Sequence, residues 1–347
     1  MNKIVNLETF WIPQTEAYGL LKSEIGDATT VIGLMLADGF LHNNPGYVVE
    51  RLSDEVDLYV VPGMAYDHAV YNKTIPFNFN LHTTYNSYKD AETYPWNYNA
   101  SKFLFLGGVP NRPNRIGLLN KFYLAGLMDQ AEWSFFKPWT EEQEDWCRSY
   151  TCNYEKLLTL CRSIDSLYET SKDYGTDPFN SSAEWTNNTA WIDPAVFNRT
   201  LLSVVSEGVG DNDLTTKFLT EKMYRVFVQR HPFILAGTPD MYDYVQELGF
   251  RTFEEYLEIP DYGRIVNENE RLDAIVKNTK YFLENYHANL NEINRDVEHN
   301  YKRFFELAGK NNDTLLMLQK KFDISQQEID KWFNQKGFGH LVRAYGN

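Results

Sequence analysis

Thr220-Glu221-Lys222 carries the sharpest chemical signal in the chain. The three residues stand where a loop gives way to the helical pattern EKMYRVFVQR, with Thr220 at the N-cap position. A helix start presents backbone N–H groups and the positive end of the helix dipole, so it favours an anion. A lysine there adds a point charge suited to phosphate, and a carboxylate beside it can accept from two ribose hydroxyls. The same residues also read as a capped helix with a solvated Glu and Lys. Arg225, nearly one turn on, is placed to add charge behind the first two. Arg230 and His231 fall at the far end of the helix, where cations suit the negative dipole and need no ligand.

A second basic helix start lies at NRPNR, residues 111–115, where Arg112 and Arg115 are held three apart by Pro113. That spacing makes a donor cluster matched to phosphate oxygens, or a surface loop that opens a helix. Glu207 follows the apolar run LLSVVS, and a carboxylate at a strand's carboxyl end points toward a ligand crevice. Asp211-Asn212-Asp213 has the D-x-D form that holds a divalent ion in some sugar-nucleotide enzymes, or is a solvated turn. Metal dependence stays open, and no metal ligands are assigned. Asp38 follows VIGLMLA and precedes Gly39, with His42 nearby. It is the candidate general base, or a helix or turn cap.

These residues need strands and helices to position them. Residues 31–37, 56–61 and 103–106 have strand character, and the last run, FLFL, leads through GGVPNRPNR into a helical pattern with Ile116, Leu119, Phe122, Tyr123 and Leu127 on one face. Strand, Gly/Pro-rich turn and amphipathic helix make the repeating unit of an open α/β sheet. A short strand, AEWSFF, follows. From residue 201 the rhythm returns as LLSVVSE, the helix from Glu221, PFILAG, and a second helix DMYDYVQEL. That second helix is expected to have Thr238 at its N-cap and Gly249 at its end. FRTF is expected to start a further extended piece, and DTLLMLQKKF a separate short helix. The expected division is an N-terminal acceptor-side α/β domain over 1–137, an inter-domain segment over 138–199, a nucleotide-sugar-binding α/β domain over 200–265, and a helical segment over 266–347.

Composition narrows the function classes. The 347 residues carry a net charge of −15 and 43% hydrophobic residues, ordinary for a soluble globular protein. Such acidity disfavours a surface that grips nucleic acid or anionic membrane as a whole. Cys147, Cys152 and Cys161 have no CxxC spacing and read as reduced thiols of a cytosolic protein. No signal peptide or membrane span is expected from the pattern, so the expected location is cytoplasmic. GxGxxG after the first strand, GxxxxGK[ST], HExxH and GxSxG are all absent.

Taken together, FLFLGGVPNRPNRIGLLNKFYLAGLMDQAEWSF and VVSEG…FLTEKMYRVFVQRHPFILAG…LGFRTF resemble glycosyltransferases found widely in phages and bacterial surface-glycan loci, related in their C-terminal half to the α-1,3-fucosyltransferases. The matching positions are Ser206, Glu207, Thr220, Glu221, Lys222, Pro232 and Gly237. The resemblance spans residues 101–136 and 200–257, about a quarter of the chain. It implies an α/β fold of the GT-B kind: two Rossmann-like domains facing across a cleft, with a nucleoside-diphosphate sugar held mainly by the second. By that likeness Glu221 binds the ribose, Lys222 the diphosphate, Arg115 with Arg112 the diphosphate from across the cleft, and Glu207 lies near the donor sugar. The implied activity is an inverting transfer of a hexose, or a pentose such as arabinose, with no cofactor required. Two acceptors follow: hydroxymethylcytosine in double-stranded phage DNA, toward which the Asn- and Tyr-rich, Cys-poor composition leans, and a surface glycan. A non-catalytic nucleotide-sugar or carbohydrate-binding protein is the alternative from another class.

Overall fold

A computed structural model of the protein describes residues 2–6, 14–35, 51–62, 77–108, 113–135, 141–163, 192–207, 219–239, 241–325 and 327. These residues form a mixed α/β structure with two parallel sheets. The first holds β1 (Asn2–Asn6), β2 (Thr30–Met35) and β3 (Asp57–Pro62) in that order, with Ile4 opposite Ile32 and Ile32 opposite Tyr59. Helix α1 (Gln14–Ile25) makes the crossover between β1 and β2.

The second sheet contains β4 (Phe103–Gly108), β5 (Ala131–Phe135), β6 (Leu202–Ser206) and β7 (Phe233–Ala236), in the order β5-β4-β6-β7. Phe103 pairs with Ala131 on one side and with Leu202 on the other, so β4 is central. The expected domain boundary at 137 therefore runs through this sheet: two strands before it and two after it share one hydrogen-bonded ladder. The strand sequences show why the sheet must be covered on both faces. Every residue of LSVVS and FILA is buried, the signature of a parallel strand packed on two sides. At the end of β4 the register shifts between Leu106 and Gly108. A side chain at Gly107 would sit 2.5 Å from the Phe135 ring, so this approach of β5 requires glycine.

Helices α3 (Pro113–Leu124) and α7 (Glu221–Val228) follow β4 and β6. Phe122 of α3 packs on Phe103 and Phe105 with ring centroids 4.8 and 5.5 Å apart. Helix α7 is buried along almost its whole length, from Met223 to Val228. Its inner side faces the sheet; its outer side meets α2 (Phe79–Tyr88) and the long α10 (Leu290–Phe322). Gly249, at φ +85°, ends the turn after α8 (Met241–Glu247) as expected. Between β5 and β6 lie α4 (Glu141–Tyr150), α5 (Tyr154–Ser163) and the short α6 (Pro194–Asn198). Helix α9 (Glu268–Asn285) completes the layer over α3 and β7.

Three buried asparagines staple loops to α9 and α10. Asn278 accepts from the Ile259 N–H at 2.8 Å and donates to the Ile259 carbonyl at 2.9 Å. Asn300 does the same to Arg251 at 2.7 and 2.9 Å, and Asn311 to Asn78 at 2.7 and 3.0 Å. Each amide satisfies both backbone groups of one residue, as a neighbouring strand would. Two sequence expectations change for this reason. The stretch at Arg251 forms no fifth strand, because Asn300 supplies its ladder partner. Nor does DTLLMLQKKF begin a new helix: Asn311 is spent on Asn78 rather than on a cap, and α10 continues through it.

Candidate functional site

Strand order β5-β4-β6-β7 places the topological switch point between β4 and β6, where the connections leave in opposite directions. In an open α/β sheet a crevice opens there at the carboxyl ends of the strands. The first turn of α3 follows β4, and the first turn of α7 lies beyond β6, so both basic helix starts arrive at that one edge.

Contacts between them are direct. Asn114 Nδ2 donates to the Glu207 carbonyl at 3.2 Å, tying α3 to the end of β6. The Glu207 carboxylate then reaches α7: Oε1 accepts from the Thr220 N–H at 2.9 Å and Oε2 from the Thr220 hydroxyl at 2.6 Å. Thr220 caps α7 as expected, its Oγ1 accepting from the Lys222 N–H at 3.3 Å. The same oxygen accepts from Lys222 Nζ at 3.2 Å, and Nζ pairs with Glu221 Oε1 at 2.9 Å. Asn114, Glu207, Thr220, Glu221 and Lys222 thus form one connected polar chain, with Arg115 buried next to Asn114 and Arg225 buried one turn below Glu221.

The two carboxyls are driven apart. Burial raises the Glu207 pKa, and neither the Lys222 charge nor the Thr220 bonds bring it back to the ordinary range. Burial also acts to raise Glu221, but Lys222 and Arg225 outweigh it and hold that carboxyl at about 2. Glu221 is therefore ionised near neutrality, and Glu207 is the group inclined to keep its proton. Glu207 is 0% exposed with both oxygens on Thr220. In this geometry the carboxyl fixes the start of α7, as a positioning residue. Lys222 keeps 23% of its side chain exposed and Glu221 17%, so the pair can still meet a ligand.

Of the other residues singled out from the sequence, Asp38, His42, Arg112 and Asp211 to Asp213 lie outside the described residues. Among the described residues no group of three His, Cys, Asp or Glu could hold a metal ion, and no helix is long and apolar enough to cross a membrane. Sequence reasoning missed Asn114 as a bridge between the two units, although it stands inside the motif that drew attention to Arg112 and Arg115. No family model, no curated protein and no solved structure matches the chain.

The far end of α7 is structural. Arg230, left-handed at φ +49°, stacks its guanidinium 3.4 Å above the Tyr301 ring and pairs with Glu298 at 2.9 Å. His231 is buried below β6. Its Nε2 faces the Thr200 carbonyl at 2.8 Å and must carry the proton, so Nδ1 accepts from the Ser203 hydroxyl at 2.8 Å. Burial lowers its pKa to about 4, against the small opposing pull of the carbonyls around it. Because the folded value lies below the unfolded one, stability is full above about pH 6.5 and falls as the pH drops toward 4, when only the unfolded chain takes the proton. The loss is about 3 kcal/mol. Urea midpoints measured from pH 7 to pH 4.5 should fall, and His231→Gln should flatten that slope. An unchanged slope in the variant would refute the assignment.

Proposed function

We propose that this chain is a nucleotide-sugar-dependent glycosyltransferase whose donor diphosphate binds at the carboxyl edge of the four-stranded sheet. The observation that carries it is the joining of the two basic helix starts through Asn114, Glu207 and Thr220 at the switch point. The resemblance of the TEK and NRPNR segments to the fucosyltransferase-related family supports the same reading. In the two-domain arrangement it implies, the three-stranded sheet is the core of the acceptor half.

The chemistry follows from the leaving group. As the acceptor oxygen bonds to the anomeric carbon, the bond from that carbon to the diphosphate breaks, and negative charge gathers on the departing phosphate. Lys222 and Arg115, fixed in place before the reaction, stabilise that charge. A base in the acceptor half takes the hydroxyl proton, and Asp38 is our candidate. The sugar is a hexose or a pentose such as arabinose. The acceptor we favour is the hydroxyl of hydroxymethylcytosine in phage DNA, a soluble substrate met in the host cytoplasm, with a surface glycan as the competing choice.

A thermal-shift panel of nucleoside diphosphates and their sugars tests the donor site. A ligand that binds only the folded chain at 100 times its Kd adds about 2.7 kcal/mol of stability. At least one nucleotide should raise the melting temperature, and its sugar form should leave a mass increment on hydroxymethylated DNA or on glycan. Binding without any product would leave a non-catalytic sugar-nucleotide-binding protein. No stabilisation by any member of the panel would refute the reading altogether.

A further inference from the structure

Buried side-chain polar atoms with no hydrogen-bond partner among the described residues include Asn114 Oδ1, Ser206 Oγ, Thr238 Oγ1, and both amide atoms of Gln229. Gln229 closes the far end of α7. The other three lie together in the fold, at the carboxyl edge of the sheet. Ser206 is the last residue of β6, and its register partner Ala236 is the last of β7, two residues before Thr238. Asn114 reaches the carbonyl of Glu207, the next residue after Ser206. Exposure is 1% for Ser206 and 7% each for Asn114 and Thr238. Buried polar atoms in native proteins nearly always have partners, so three orphans at one sheet edge, unpartnered among the described residues, mark a place for a ligand's polar groups.

Their chemistry limits what that is. The orientation of the Asn114 amide is forced, because Glu207 offers a carbonyl and only the NH2 group can face it. The orphaned atom is therefore the amide oxygen, an acceptor, and it requires a donor from the ligand. A phosphate oxygen cannot fill that need near neutral pH. Two hydroxyls complete the set, each able to give and to accept. The Thr238 N–H goes to the Met241 sulfur at 3.3 Å, while its hydroxyl has no partner among the described residues. That hydroxyl is available to a ligand.

We infer that Asn114, Ser206 and Thr238 form a subsite for the hydroxyl-bearing carbohydrate portion of the ligand, beside the cationic site at Arg115 and Lys222. This rests on the sugar-nucleotide reading above. Lys222 and Arg115 take the charge; the three neutral residues read hydroxyls. The carbohydrate portion is either the ribose or the sugar to be transferred, and the ligand arms below separate the two.

The experiment uses the full chain as wild type, Ser206→Ala and Thr238→Val, with inorganic pyrophosphate, ribonucleoside diphosphates, and UDP-glucose and GDP-mannose as probes. Both substitutions remove a hydroxyl and little else. Without ligand, each variant should melt at the wild-type temperature or above it, since an unpartnered buried hydroxyl has been removed. Pyrophosphate, which has no hydroxyl to read, should stabilise all three proteins alike. The sugar-bearing probes should bind each variant about tenfold more weakly. Weakening already present with the diphosphates assigns the subsite to ribose; weakening confined to the sugar forms assigns it to the transferred sugar. Variants that bind sugar-bearing probes as wild type does, or that melt several degrees lower without ligand, overturn the subsite and leave the donor site standing. Failure of every probe to stabilise wild type overturns both.

Discussion

Lys222→Ala is expected to abolish stabilisation by every nucleoside diphosphate while leaving the chain folded. The Lys222 ammonium touches Thr220 Oγ1 and Glu221 Oε1, and the side chain is partly open to water. Losing a partly exposed pair of this kind costs about 1 kcal/mol of stability. Ligand binding suffers far more. Without the ammonium, a diphosphate approaching the crevice loses the point charge at the start of α7 and keeps only Arg115 and Arg225, both buried. A charged hydrogen bond lost at such a site weakens binding on the order of 100-fold. Calorimetric titration with the best diphosphate of the panel checks it. Binding within a few-fold of wild type would remove Lys222 from the site.

Glu207→Ala should produce the largest loss of stability available at the site, about 3–5 kcal/mol, because Thr220 would be left with a buried N–H and a buried hydroxyl facing a void. Glu207→Gln separates shape from charge. The glutamine oxygen can still accept from the Thr220 N–H while its NH2 donates to the Thr220 hydroxyl, so the network survives near the cost of one hydrogen bond. The pH dependence then gives the sign. With a folded pKa raised above the unfolded value, wild type has its full stability from this group at acid pH and loses it as the pH rises through the folded pKa. Glutamine has nothing to ionise, so its stability relative to wild type should improve from pH 5 to pH 8. A constant or declining difference would show that Glu207 sits in the fold as an ordinary carboxylate.

Features that depend on a few neighbouring residues were legible in the sequence. The strand at FLFL, the helix from Pro113, the Thr220 cap and the Gly249 turn all appear where the pattern placed them. What could not be read was which strands share a sheet. Pairing Phe103 with Leu202 is a long-range choice, and neither partner carries a mark of the other. The asparagine staples were hidden for the same reason: Asn300 and Arg251 meet only after folding. Within the site, Glu207 and Thr220 were each legible as chemistry, but their bond to each other was not. That bond turns a presumed ligand contact into a support for one.

The central position of β4 has a consequence for how the chain is made. On one side its partner β5 leaves the ribosome soon after it. On the other, β6 arrives roughly 100 residues later, a delay of about 5–20 s at common translation rates. During that interval one edge of an FLFL strand, with its N–H and C=O groups unpaired, is open to any other extended chain nearby. Slowing translation across the intervening stretch lengthens this exposure, and a fragment that begins at 138 to isolate the second α/β unit would lack both β4 and β5. Any excision of the four-stranded sheet must start upstream of Phe103.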